Sequence, residues 1–265
     1  MKMKLKRLAT VAAIVLSSGS SAYAAIQEEA VTYKDGDTVM KGFIVYDDAN
    51  NAKHPGIVVV HEWWGITKHT RAEARRFAQQ GYSAFVADMY GDAKSADNPT
   101  DAGALMRSVM GNSAAVQSRF SAAREQLAKH KSVDATRIGA SGYCMGGAIV
   151  LRAARAGVDL RAVAAFHPSL GGYSTGPGPV KAKVLVLNGA DDPFNKPEQI
   201  DAFRADMEAA KVDLKFINYP GAVHAFTNPE ATEKGKQFNL PLAYNAEVDQ
   251  QSKDEATKFF SAAFK

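Results

Sequence analysis

Cys144 is the only cysteine among 265 residues, and it lies in a glycine frame, Gly142-Tyr143-Cys144-Met145-Gly146-Gly147. Residues 137–141 before it read as a short buried strand and residues 148–154 after it as a helix, so the thiol sits where the chain reverses. A strand, a sharp turn carrying the nucleophile and a helix make up the G-x-S-x-G kind of elbow, here with sulfur in place of oxygen. Glycines suit such a corner because strand and helix approach too closely there for a Cβ, and the backbone is strained. The chemistry on offer is attack of a thiolate on an electrophilic carbon. The bland alternative is a free cysteine packed as a small hydrophobe, and the glycine frame argues against it.

A thiolate nucleophile needs a base to manage the proton and an acid to orient that base. Two later segments supply these types, each after an apolar run. Residues 184–187 lead into Asn188-Gly189-Ala190-Asp191-Asp192-Pro193, and residues 214–219 lead into Pro220-Gly221-Ala222-Val223-His224-Ala225-Phe226. Cys144, then Asp191 or Asp192, then His224 is the nucleophile, acid, histidine order of α/β-hydrolases. A second cluster, His61-Glu62-Trp63-Trp64-Gly65, follows the β-branched run at residues 57–60. Chemistry in α/β sheets gathers beyond such carboxyl ends of strands. Trp63 and Trp64 either line an aromatic pocket or pack as core, Trp63 being the better placed to face substrate; Trp64, Tyr90 and Phe226 are marked as candidate pocket residues. His61 and His167 also fall at strand ends, but no spacing supports the three or four convergent ligands a metal requires. No metal and no cofactor are expected.

The elements that must position these groups follow from periodicity. Residues 30–33 and 39–46 alternate around Asp35-Gly36 and read as an antiparallel hairpin at a sheet edge. Residues 57–60 are too apolar for a one-sided strand and read as a central parallel strand. Helical patterns follow at residues 68–80 (Ala72, Ala74, Phe77 and Ala78 inward), 101–110, 114–130, 197–210 and 247–264, and strands at 82–89, 162–166, 184–187 and 214–219. Residues 92–101 and 169–179 read as loops, the first at the pocket rim. Met106 and Met110 are expected as core or lid contacts. The fold class is therefore α/β, a doubly wound, mostly parallel sheet with an antiparallel start.

The chain resembles the dienelactone hydrolase family through the Cys144 elbow, His61-Glu62-Trp63-Trp64-Gly65, Gly189-Ala190-Asp191-Asp192 and Gly221-Ala222-Val223-His224-Ala225-Phe226. The resemblance implies an α/β-hydrolase fold, Cys144 as nucleophile, His224 as base and the aspartate of a G-x-x-D turn, which selects Asp192. It also implies that Glu62 lies against the cysteine and helps set its protonation, a carboxylate there competing for the thiol proton. The alternative for Glu62 is an ion pair with Arg71 or Lys68. Backbone N–H groups of Met145 and Trp63 would form the oxyanion hole. Family members that cleave dienelactone use arginines to hold the substrate carboxylate. Here Asp88-Met89-Tyr90 is followed by Gly91-Asp92-Ala93, and His224 by Ala225-Phe226-Thr227-Asn228, with no arginine in either place. A small ester or lactone other than dienelactone is the expected substrate.

Composition bounds the rest. A chain that is 46% hydrophobic and 23% charged is ordinary for one globular domain of this size. Residues 1–24 read as an export signal: Lys2, Lys4, Lys6 and Arg7, a short apolar run, then Ala22-Tyr23-Ala24 as a cleavage site. Residues 25–265 form the expected catalytic domain, secreted or periplasmic. The formal charge of +4 equals the four cations of this leader, so the remaining chain is neutral and offers no reason to invoke nucleic acid or membrane insertion. A monomer is expected. An exported lone thiol cannot form an internal disulfide, and redox sensing would want a resolving cysteine. The competing reading is a non-catalytic module that binds small ligands on the same fold.

Overall fold

The computed structural model describes residues 26–49, 52–171 and 180–265. The expected export signal and most of the 169–179 loop lie outside them. The described chain opens with β1 (Ile26–Asp35) and β2 (Thr38–Asp47), paired antiparallel, with Gly36 at φ +56° making the turn between them. It continues through β3 (His54–Val60), α1 (Lys68–Gln79), β4 (Ser83–Ala87), α2 (Pro99–Met110), α3 (Ser113–Lys129) and β5 (Val133–Tyr143). Then come α4 (Met145–Arg155), β6 (Ala162–Phe166), β7 (Lys183–Gly189), α5 (Pro197–Ala209), β8 (Leu214–Tyr219), α6 (Ala231–Phe238) and α7 (Ala246–Ala263).

These strands form one sheet in the order β1-β2-β4-β3-β5-β6-β7-β8, antiparallel through the β2–β4 contact and parallel from there on. The run at residues 57–60 shows why parallel strands read as unbroken apolar stretches. Val58 and Val60 pack into one core with Phe120, Leu127, Ile149 and Val184, while Ile57 and Val59 pack into the core on the other face with Phe77, Leu185 and Phe260. Successive side chains point to opposite faces, and both faces are covered by helices. No helix among the described residues is long and apolar enough to cross a membrane.

Several expectations are corrected. Residues 134–136 belong to β5 instead of preceding it: His54 and Pro55 pair with Val133 and Asp134, Gly56 with Ile138, and the polar residues between bulge outward. Helix α4 begins at Met145, directly after the cysteine, and not at residue 148. On α1 Ala72 is exposed, while His69, Thr70 and Glu73 are buried on the inner face. Helix α6 was not anticipated; it packs Phe238 and Lys234 over the ring of Trp64 and so buries that side chain.

Candidate active site

Cys144 follows β5 and caps α4 with φ +54° and ψ −117°, a conformation that costs an ordinary side chain free energy and persists because its surroundings dictate it. A Cβ on Gly142 would lie 2.1 Å from the Gly146 carbonyl oxygen, and one on Gly146 would lie 2.3 Å from that of Val60. Glycine at both positions lets β3, β5 and α4 meet at the thiol. The N–H groups of the first turn of α4, that of Met145 included, have no intrahelical acceptor, and no side chain caps them. They form a ready site for a developing negative charge beside the sulfur.

His224 and Asp192 come from the loops after β8 and β7. His224 Nδ1 is 2.7 Å from Asp192 Oδ2, and the Cys144 side chain lies close enough to act on the same ring. Asp192 is fixed in turn by the Phe194 N–H at 2.9 Å, and Asn195 reaches it from 3.4 Å. Asp191 is exposed and Asp192 buried, so the orienting carboxylate is Asp192. Burial disfavours a charge on His224, but the charge of Cys144 and the hydrogen bonds from Asp192 and Cys144 outweigh it and push the imidazole up to about 10. That favours the charged imidazolium form of His224.

The β3 end carries Glu62 and Trp63. Tyr90 joins this segment to the elbow: its hydroxyl donates to the Trp63 carbonyl at 2.8 Å and approaches Met145 Sδ at 3.3 Å. The two expected oxyanion segments are thereby held side by side. Trp63 is half-buried with its ring 4.6 Å from that of Trp64. Tyr90 is buried with its hydroxyl near Cys144, while Trp64 is almost fully enclosed. Phe226 has no exposed surface; it packs edge-on against His167 and Tyr219. Trp64 and Phe226 therefore support the loops from behind and do not line an open pocket. The exposed aromatic beside His224 is Phe194, 5.0 Å from it between ring centroids, which the sequence reading did not single out.

Glu62 departs from the expected role. Its carboxylate accepts from Asn228 Nδ2 at 2.6 Å and faces His69 Nδ1 at 3.7 Å, while Arg71 pairs with Glu28 and Lys68 is exposed. Burial raises its pKa, but the nearby His69 and the hydrogen bond from Asn228 overcome this and bring it down to about 2. These partners favour the ionised form of Glu62. His69 is disfavoured as a cation by burial, yet Glu62 and Glu73 raise it above the ordinary range.

The two strand-end histidines once weighed as metal ligands are both engaged otherwise. His61 lies between the Glu62 carbonyl at 2.6 Å and the Met89 N–H at 3.2 Å. His167, fully buried, accepts from the Cys144 N–H at Nδ1, 3.2 Å away, and lies 2.8 Å from Thr227 Oγ1 at Nε2. Burial first, and the charge of His224 next, hold it well below the usual imidazole range, so it stays neutral and keeps the Nδ1 lone pair free to accept. Below the elbow, the Tyr143 hydroxyl donates to Glu73 at 2.7 Å, and Glu73 also pairs with Arg76 and Lys253. No local pattern announces this network, because Glu is a type that is almost never fully buried unless paired.

The fold and this arrangement of strand-end loops are those of an α/β-hydrolase. The dienelactone hydrolase family model matches residues 40–264, and the chain belongs to that family. It is 32% identical over 200 residues to the Usf protein of Aquifex pyrophilus, covering 73% of this chain and 86% of that one. It is 30% identical to a Yersinia pestis protein named as a candidate carboxymethylenebutenolidase, covering 71% of this chain and 74% of the relative. Among solved structures it superposes on a dienelactone hydrolase-like promiscuous phosphotriesterase from metagenomic libraries with a TM-score of 0.86 and 33% identity, over 91% of this chain and all of the other. The protein is a hydrolase acting on esters or lactones.

Proposed function

We propose that this hydrolase works through a Cys144-His224-Asp192 triad on small neutral carboxylic esters or lactones. The observation that carries the reading is the buried Asp192–His224 pair, 2.7 Å apart, with the Cys144 side chain acting on the same ring. The thiolate of Cys144 attacks the acyl carbon, and the carbonyl oxygen gains charge facing the N–H groups of Met145 and Trp63. His224 gives its proton to the departing alcohol oxygen, leaving a thioester on Cys144. Water then attacks the thioester, His224 takes its proton, and collapse releases the acid and restores the thiolate–imidazolium pair. Asp192 holds the tautomer and stabilises the charged ring.

The absence of arginine around residues 88–93 and 225–228 supports uncharged substrates over carboxylates. The phosphotriesterase activity named for the metagenomic relative makes a phosphotriester a useful second compound in the same screen. The basic, apolar, A-x-A leader supports export, with the enzyme acting outside the cytosol and N-terminal sequencing of the processed protein expected to begin just after Ala24.

The test is hydrolysis of p-nitrophenyl acetate by Cys144→Ala, His224→Ala and Asp192→Asn. The first two abolish turnover, and Asp192→Asn lowers kcat by about 10⁴-fold, the size seen when a histidine is left in the wrong tautomer. Full activity in Cys144→Ala removes the nucleophile from the account and favours a ligand-binding role for the cysteine pocket.

A further inference from the structure

Beneath the triad runs a second line of polar groups that the hydrolytic steps do not use. The Cys144 N–H, which donates to the Phe166 carbonyl at 3.0 Å, is shared with His167 Nδ1 at 3.2 Å; His167 Nε2 lies 2.8 Å from Thr227 Oγ1, and His69 Nε2 lies 3.3 Å from the same hydroxyl. His69 in turn faces Glu62 at 3.7 Å, and Glu62 is held by Asn228. Thr227 and His167 have no exposed surface, and His69 and Glu62 are buried with them. Each member comes from a different part of the sheet's carboxyl edge: Glu62 follows β3, Cys144 follows β5, His167 follows β6, Thr227 lies three residues beyond His224 after β8, and His69 faces in from α1.

We propose that Thr227 is a positioning residue, whose hydroxyl between the rings of His167 and His69 ties the Cys144 backbone to the Glu62-Trp63 segment and so sets the nucleophile against the oxyanion donors. The inference rests on Cys144 being the nucleophile. Its physical basis is that a strained corner holds its geometry only if its neighbours over-determine it. His167 must be neutral to accept from the Cys144 N–H, and a neutral ring with that acceptor at Nδ1 carries its proton at Nε2. Thr227 is the oxygen placed to receive it. Without that oxygen the His167 ring is free to rotate or change tautomer, and the bond to the elbow is lost.

The full chain carrying Thr227→Val, Thr227→Ala or Thr227→Ser is compared with the unsubstituted enzyme on p-nitrophenyl acetate, with melting temperatures alongside. The expected result is a fall in kcat of about 10- to 100-fold in the valine variant with KM unchanged, the size of effect that a small misplacement of reacting groups produces. Thr227→Ser recovers most of the rate. Thr227→Ala behaves as valine does and serves in its place if that variant does not fold. Wild-type kcat in the valine or alanine variant, or a serine variant as slow as valine, overturns the proposal. Cys144→Ala measured beside them separates the two claims: turnover in that variant removes the nucleophile, whereas its inactivity beside a fully active Thr227→Val removes only the relay.

Discussion

The backbone at Cys144 is tolerated because the residues around it have no side chains in the way. A methyl group on Gly146 would meet the Val60 carbonyl oxygen at 2.3 Å and that of His61 at 2.7 Å, both backbone atoms that cannot swing aside. Gly146→Ala is therefore expected to lose about 4 kcal/mol or more, seen as a large drop in the urea midpoint together with loss of activity. Buried charge sets a second expectation. Glu62 and Glu73 are both held at about 2, below their ordinary 4.5; for Glu73, burial opposes ionisation and the charges of Arg76, His69 and Lys253 outweigh it. A depressed carboxyl contributes stability above its unfolded pKa and loses it as the pH falls through the folded one. Each shift corresponds to about 3 kcal/mol at pH 7. Urea unfolding free energy should thus fall steeply between pH 4.5 and 2, and Glu73→Gln should flatten that fall while lowering stability at pH 7. A slope unchanged by the substitution would mean that Glu73 is not ionised in the fold.

At the scale of elements, the elbow is anchored to α1 by the Tyr143 hydroxyl on Glu73 and to β6 by the stacking of Tyr143 on Phe166, 4.8 Å apart. Tyr143→Phe keeps the stacking and removes the hydroxyl from a carboxylate that Arg76 and Lys253 still satisfy. It should cost about 1–2 kcal/mol, read as a shift in melting temperature. The same elements show what the chain made legible. Strands β3, β6 and β7 were readable because burial on both faces leaves an uninterrupted apolar run. Cys144, Asp192 and His224, which the structure brings to one edge of the sheet, stand out in the sequence because glycine frames and strand ends mark them, although the choice of Asp192 over Asp191 needs either the family's turn motif or the observed turn. On helix α1 the spacing from Phe77 puts Glu73 and His69 on the inner face, four and eight residues back, but their polar types hide this and no local signal announces that each finds a buried partner. Helix α6 was invisible because Ala231–Phe238 carries little apolar stripe and holds Gly235, whose missing Cβ leaves room for the Leu242 carbonyl oxygen. Phe226 was named as a pocket residue from its place beside His224, but the loop turns at Ala225, φ +60°, and sends it inward.

For the molecule as a whole, the parallel strands β4, β3, β5, β6, β7 and β8 deliver their carboxyl ends to one edge, where segments far apart in sequence meet, as Glu62 and Asn228 do across 166 residues. The sheet buries His224 and Asp192 while leaving Cys144 partly accessible. The lack of a carboxylate clamp carries over to specificity. A neutral ester should be turned over with a lower KM than its analogue bearing a free carboxylate, and a reversed preference would mean that a cation outside residues 88–93 and 225–228 supplies the clamp. The most direct test of the mechanism is intact-mass measurement of the enzyme quenched within a turnover on p-nitrophenyl acetate, followed by peptide mapping. The expected result is a single acetyl adduct on Cys144 that forms and decays at the rate of turnover and is absent in Cys144→Ala. An adduct on another residue, or turnover undiminished in Cys144→Ala, would contradict it.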